Sequence, residues 1–256
     1  MECAREMIDA DTAVVSVMWA NNEIGNIYPV AELAELAHSQ GALFHTDAVQ
    51  AVGKVQMDLK NMPIDMLSLS GHKLHAPKGV GALYVRRGVR FHPFIIGGHQ
   101  ERGRRAGTEN VASIVALGKA AELAKANFAT ENTKVKALRD KLETALLQLP
   151  STRLNGDVEH RLPNTSNISF EYIEGESILM LLNMYGICAS SGSACTTGSL
   201  EPSHVLRAMG VPYTAAHGAI RFSFSRYNTG EEVDFVLEKL PPVIARLREI
   251  SPYWKN

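Results

Sequence analysis

The chain has 256 residues, 45 % of them hydrophobic and 21 % charged, with a net charge of −1 at pH 7. This composition supports a packed core and argues against disorder. A near-zero charge without a basic run gives nucleic-acid binding no electrostatic support, and no apolar stretch reaches the roughly 18 residues of a membrane helix. The cysteines Cys3, Cys188 and Cys195 are too few for a disulfide framework and are not spaced as a zinc site. Met1-Glu2-Cys3-Ala4-Arg5 is not an apolar targeting segment, so a cytoplasmic protein with free thiols is expected, in one large or two modest domains.

In chain order, Thr12–Trp19 reads as a buried strand closed by the polar cluster Asn21-Asn22-Glu23. Pro29–Ser39 has helical pattern, with a proline near its start and Gly41 beyond its end. Ala42–Gln50 is a second strand, running into Asp47 and Gln50, and Ile64–Ser70 is a third. Strands alternating with helices and loops imply a mainly parallel sheet, with Asn22, Asp47, Gln50 and Lys73 gathered along one edge. Lys73 follows the third strand in Ser70-Gly71-His72-Lys73, ahead of a turn containing Pro77, Gly79 and Gly81 and a further apolar run to Val85. Partial burial there lowers an amine's pKa, and a neutral amine can form a Schiff base with a carbonyl. Ser70 and His72 offer donors to an anion. The residues of this stretch alone fit a surface lysine in a turn equally well.

Gly97–Asn110, with four glycines among charges, reads as an ordered functional loop or a solvated one. Val111–Leu149 is a long helical region with a break expected near Phe128–Glu131, bridging to an α+β second domain. There, strands are expected at Asn167–Tyr172, Ile187–Ala189 and Ala219–Ser225, and helices at Gly175–Tyr185, Ser203–Met209 and from about Gly230 to Ile250. Ser203 is placed to cap its helix, and Pro241-Pro242 should interrupt the last one. Ala189–Leu200 has the composition of a mobile linker with Cys195 in its midst; an exposed loop thiol is available to react, whereas Cys188, on an apolar run, reads as core.

His45-Thr46-Asp47-Ala48-Val49-Gln50, Ser70-Gly71-His72-Lys73, Gly97–Asn110, Ser190–Thr196 and Ile220-Arg221-Phe222-Ser223 stand in this order along nearly the whole chain. Together they resemble the cysteine desulfurases, pyridoxal-phosphate enzymes of the aspartate-aminotransferase fold, most of all the nitrogen-fixation type with a longer cysteine loop. The resemblance implies an α/β, aminotransferase-like large domain with a mainly parallel sheet, partial here and spanning 1–122, and a small α+β domain, 123–256, carrying the cysteine loop. It implies that Lys73 holds pyridoxal phosphate covalently and transfers protons. Asp47 would face the ring nitrogen, Gln50 and Asn22 the ring oxygen, and Ser70 and His72 the phosphate. Thr108 would reach the phosphate in a neighbouring subunit of a homodimer. Arg221, with Asn22, would bind the substrate carboxylate, and Cys195 would take the sulfur of L-cysteine as a persulfide, releasing alanine. An iron–sulfur scaffold is the implied acceptor, as in nitrogenase maturation. No intrinsic metal is implied, although Cys195 could ligate iron–sulfur species during transfer. Relative to the family, the chain reads as lacking roughly the first third, with its glycine- and threonine-containing phosphate loop and the histidine stacked on the ring. A selenocysteine lyase or another enzyme of this fold, and an inactive dimerisation module, are the competing readings.

Overall fold

The residues described, 1–191 and 202–254 of a computed structural model, fall into two units. The first comprises Met1–Ala20 with Tyr28–Phe128, and the second Asn21–Ile27 with Ala129–Asn256. This differs from the expected division at 122/123 in two ways. The long helix carries the first unit a few residues further, and a short segment near the start of the chain belongs to the second unit.

The first unit opens with α1 (Glu2–Met7), which buries none of its residues and has no apolar periodicity to announce it. It continues through β1 (Val14–Met18), α2 (Val30–Ser39), β2 (Leu43–Asp47), β3 (Met66–Ser70), β4 (Gly81–Val85), the short α3 (Gln100–Gly103) and α4 (Val111–Ala126). The sheet order is β1-β2-β3-β4. β1, β2 and β3 run parallel, and β4 returns antiparallel beside β3. Period-two alternation turns Phe44, Thr46 and Leu67 inward, and α2 packs on β1 and β2, burying Val30, Leu33, Ala34 and Ala37. Asp65 ties this layer together by accepting from the Phe44 amide at 2.8 Å and pairing with His38 Nε2 at 2.7 Å. The other face of the sheet carries Ser16, His45, Asp47, Ser68 and Ser70, and the alternating strands leave it more open.

Where the chain passes from the first unit to the second, the expected break is a short helix, α5 (Phe128–Thr130), and a π-helical turn at Glu131–Val135, after which α6 (Lys136–Leu146) resumes in the second unit. Then come β5 (Thr152–Asn155), β6 (Thr165–Phe170), α7 (Gly175–Asn183), β7 (Ser190–Ser191), α8 (His204–Ala208), α9 (Tyr213–Ala216), β8 (Ala219–Ser223) and α10 (Gly230–Ile250). The sheet, β5-β6-β8-β7, is antiparallel throughout. Leu142, Leu146, Phe170, Ile178, Ile220 and Leu240 sit in one fully enclosed core between it and α6, α7 and α10.

Several expectations are corrected here. Ile187–Ala189 is not a strand; pairing begins at Ser190, opposite Arg221. Pro241-Pro242 does not interrupt α10, although each proline removes a backbone donor at about 3 kcal/mol in a helix interior. Burial of Leu240, Val243 and Ile244 and a capping box at Thr229–Glu232 hold the helix through it. β6 starts two residues before the expected Asn167. β5 was not foreseen, because Thr152-Arg153-Leu154-Asn155 has a single apolar side chain and becomes a strand only by pairing with β6. α9 is too short for a periodic signal and forms where Ala215 and Ala216 pack with Leu206, Val211 and Ile24. Among the described residues no helix is long and apolar enough to cross a membrane.

The segment 21–27 enters the second unit by backbone pairing. The Leu162 amide donates to the Gly25 carbonyl and the Ile27 amide to the His160 carbonyl, both at 2.8 Å. The Asn21 side-chain oxygen accepts from the Glu23 and Ile24 amides, closing a tight turn. Gly25 has φ +79°, and a Cβ built on it would stand 3.2 Å from the Thr165 Cβ, so a larger residue would be strained there.

Candidate functional site

In the first unit, Lys73 lies on a 3₁₀ turn, Gly71–Leu74, immediately after β3. Leu74 packs with Ala120 and Ala124 of α4 and anchors the turn from below. Gly71 is required by space: its amide donates to the Val80 carbonyl at 2.8 Å, and a Cβ would stand 2.8 Å from Val80 Cγ1. Gly81 is equally constrained, since a Cβ there would meet the Leu69 carbonyl oxygen at 2.6 Å. The turn closes with His75 at φ 68° and the Ala76 amide bonded to the Gly71 carbonyl. Lys73 is thus half-buried at a strand's carboxyl end, on a support fixed by glycine packing and one leucine.

Beside it, Ser70 Oγ and His72 Nδ1 are 2.7 Å apart. Asp47 ends β2, where one carboxylate oxygen accepts from the Val49 amide at 2.9 Å. Gln50 follows on the turn at Ala48–Ala51, half-buried. Asp47 and Ser68 are register partners and Ser70 pairs with Gly81, so the sheet gathers the carboxylate, hydroxyl and imidazole groups and the amine at its carboxyl end, as parallel sheets do. Thr108 is exposed, after Gly107, whose amide donates to the Gln100 side chain at 3.1 Å.

The open face holds a group that sequence reasoning missed. His45 bridges Ser16 Oγ at 2.7 Å and Ser68 Oγ at 2.8 Å, crossing β1, β2 and β3. Burial pushes its pKa below the ordinary histidine value, against the pull of the nearby Asp47 charge, so the ring is neutral at pH 7. The two-residue spacing from Asp47 was the available signal.

In the second unit, Arg221 sits half-buried on β8 between the buried Ile220 and Phe222. Its Nη1 donates to the Asn22 carbonyl at 2.7 Å, so two residues singled out from distant parts of the sequence meet in the same unit. Asn22, expected at the edge of the parallel sheet, is carried by the 21–27 segment. Cys188 is exposed, not in the core, because the chain there is not part of a strand. Cys195 lies outside the described residues.

Residues 1–236 match the aminotransferase class-V family. The chain belongs to that family. The class-V match takes in both units, from α1 into α10. Among curated relatives, the chain is 66 % identical over 255 residues to "Cysteine desulfurase" of Gluconacetobacter diazotrophicus, covering 99 % of this chain and 64 % of that protein. It is 65 % identical over 257 residues to "Cysteine desulfurase NifS" of Azotobacter vinelandii, covering 100 % of this chain and 64 % of the relative. The chain therefore spans a little under two thirds of these class-V relatives. Among solved structures, a "NifS-like protein" superposes with a TM-score of 0.88 at 41 % identity, over 96 % of this chain and 65 % of the other. DndA of Streptomyces lividans superposes at 0.71 with 42 % identity, over 87 % of this chain and 63 % of the other. The class-V fold is accordingly that of the NifS-like proteins, an α/β structure with a mostly parallel sheet in the first unit.

Proposed function

We propose that this chain is the greater part of a cysteine desulfurase that converts L-cysteine to L-alanine and passes the sulfur on for iron–sulfur cluster assembly. The observation that carries the reading is 65–66 % identity to proteins of that name, extending across both units.

The donor set of the first unit fits pyridoxal phosphate. It offers an amine on a fixed turn, a carboxylate at the neighbouring strand end, and a hydroxyl–imidazole pair that can turn donors to a phosphate. When bound, that group supplies an electron sink for charge developing on the substrate's α-carbon. Lys73 Nζ would attach it and move protons at that carbon. The Asp47 carboxylate would keep a proton on the ring nitrogen. Gln50 and Asn22 would hold the ring oxygen, Ser70 and His72 the phosphate, and Thr108 the phosphate in a second copy of the protein. Arg221 would pair with the substrate carboxylate, a charge-assisted contact, from a guanidinium already oriented by the Asn22 carbonyl. The Cys195 thiolate would attack the substrate sulfur. The new S–S bond forms as the C–S bond breaks, the electron pair left on carbon takes a proton to give alanine, and the transferred sulfur stays on Cys195 as a persulfide. Its acceptor would be a cytoplasmic iron–sulfur scaffold of the kind that serves nitrogenase.

The experiment is to load the full-length protein with pyridoxal phosphate and feed it cysteine and a thiol reductant. Equal amounts of alanine and sulfide are expected. A keto acid in place of sulfide would overturn the reading in favour of transamination. Cys195→Ser should abolish sulfide release.

A further inference from the structure

Glu23 is buried, 4 % exposed, and belongs to no site assigned above. One of its carboxylate oxygens accepts from Ser203 Oγ at 2.5 Å, across 180 residues of sequence. Ser203 is the N-cap of α8, where its Oγ accepts in turn from the Val205 amide at 3.1 Å. The Glu23 carbonyl accepts from the Asn167 side-chain nitrogen at 3.2 Å, and Asn167 is the register partner of Arg221. The residue before it, Asn22, supplies the carbonyl that accepts from Arg221.

We infer that Glu23 is a positioning residue, fixing in one stroke the backbone that orients Arg221 and the N-cap of α8, eight residues beyond Cys195 in sequence. A buried carboxylate costs free energy unless it is hydrogen-bonded. Here its partner is a hydroxyl that lends its lone pairs to α8. The turn at Asn21, held by the Glu23 and Ile24 amides, leaves the Asn22 carbonyl a single direction while Glu23 stays anchored. Loss of the anchor frees that carbonyl, and Arg221 with it, without removing any group that touches substrate. The inference rests on the desulfurase reading for its kinetic consequence, but not for the cap.

The test uses the full-length, cofactor-loaded protein with Glu23→Ala, Glu23→Gln and Ser203→Ala. Glu23→Ala should raise KM for cysteine at least about fivefold with kcat changed less, a split that general destabilisation does not produce. Glu23→Gln keeps an oxygen that accepts from Ser203 and should restore KM to within about twofold. Hydrogen exchange at the Val205 and Leu206 amides supplies a readout independent of turnover, and it should speed at least about tenfold in Glu23→Ala and in Ser203→Ala. Wild-type protein that makes no sulfide would sink the desulfurase reading alone, since exchange still decides the anchor. Unchanged KM and unchanged exchange in Glu23→Ala, or a Glu23→Gln protein as impaired as Glu23→Ala, would overturn the inference. If Glu23→Ala does not fold, Ser203→Ala with normal exchange overturns it instead.

Discussion

The two units hold the side chains proposed for the site, Lys73 and Arg221, in different ways. In the first, one face of the sheet is packed under α2 and the other bears Ser16, His45, Asp47, Ser68 and Ser70. Lys73 is fixed at a strand end where Gly71 and Gly81 leave no room for a side chain. In the second, Arg221 rides on a strand flanked by Ile220 and Phe222 and is oriented by the carbonyl of a segment inserted from elsewhere in the chain. The first arrangement is local and depends on backbone turns at strand ends. The second depends on a closed core and buried polar partners. One should therefore fail through small steric changes at glycine, the other through cavities and broken ion pairs.

The largest effect tests the first unit alone. Lys73→Ala in the full-length protein should eliminate covalent capture of pyridoxal phosphate. After borohydride reduction, the peptide spanning 66–85 should carry the label in wild type and none in the variant, and label on Lys78 would reject Lys73 as the attachment point. Next come the cores. Trp19 is buried in the first unit and Trp254 packs near Tyr172 and Arg248 in the second, so single-tryptophan variants report each unit separately in urea. Phe170→Ala should cost about 3–5 kcal/mol in the Trp254 transition. Leu83→Ala, on the open β4 at 49 % exposure, should change the Trp19 transition by less than about 1 kcal/mol. Similar costs for the two would erase the contrast between a closed and an open sheet.

The ion pairs sharpen the comparison further. Glu143 accepts from Arg161 at 2.6 and 2.7 Å and from Ser166 at 2.6 Å. Burial pushes its carboxyl up, but these hydrogen bonds together with the charges of Arg161 and Arg139 outweigh that and hold it below the ordinary glutamate value. A depressed folded pKa means the unfolded chain binds the proton more readily. The contribution is therefore fully present above the ordinary pKa and lost as pH falls through the folded one. The Trp254 transition should weaken steeply on acidification below about pH 4.5. Glu143→Gln should flatten that dependence while leaving Arg161 unpaired, at a cost of about 3–5 kcal/mol near neutrality; an unaltered acid limb would show that other carboxylates dominate. Smaller still, Gly71→Ala forces a methyl against Val80 and should cost about 1–3 kcal/mol in the Trp19 transition, with weakened capture of the cofactor. Comparably small is Thr229→Ala, which removes the α10 capping box at about 1 kcal/mol, seen through Trp254.

Short-range signals made part of this fold legible in the sequence. The run Ala42–Gln50 placed a strand ending in polar residues, Pro77, Gly79 and Gly81 marked the turn after Lys73, and Ser203 after Pro202 marked a helix cap that the structure confirms. Each signal lies within a few residues, where steric and hydrogen-bond preferences act directly. Tertiary structure alone decided the rest. β5 has no pattern of its own and is a strand because β6 offers it partners. Pro241-Pro242 stays helical because the apolar face of α10 is buried on both sides of it. Residues 21–27 leave the unit that surrounds them in sequence because their carbonyls and the Glu23 carboxylate find donors at Leu162, Arg221 and Ser203, more than 130 residues on. No local rule encodes such a pairing, since a buried carboxylate and a cap serine each look ordinary until the fold brings them within 2.5 Å.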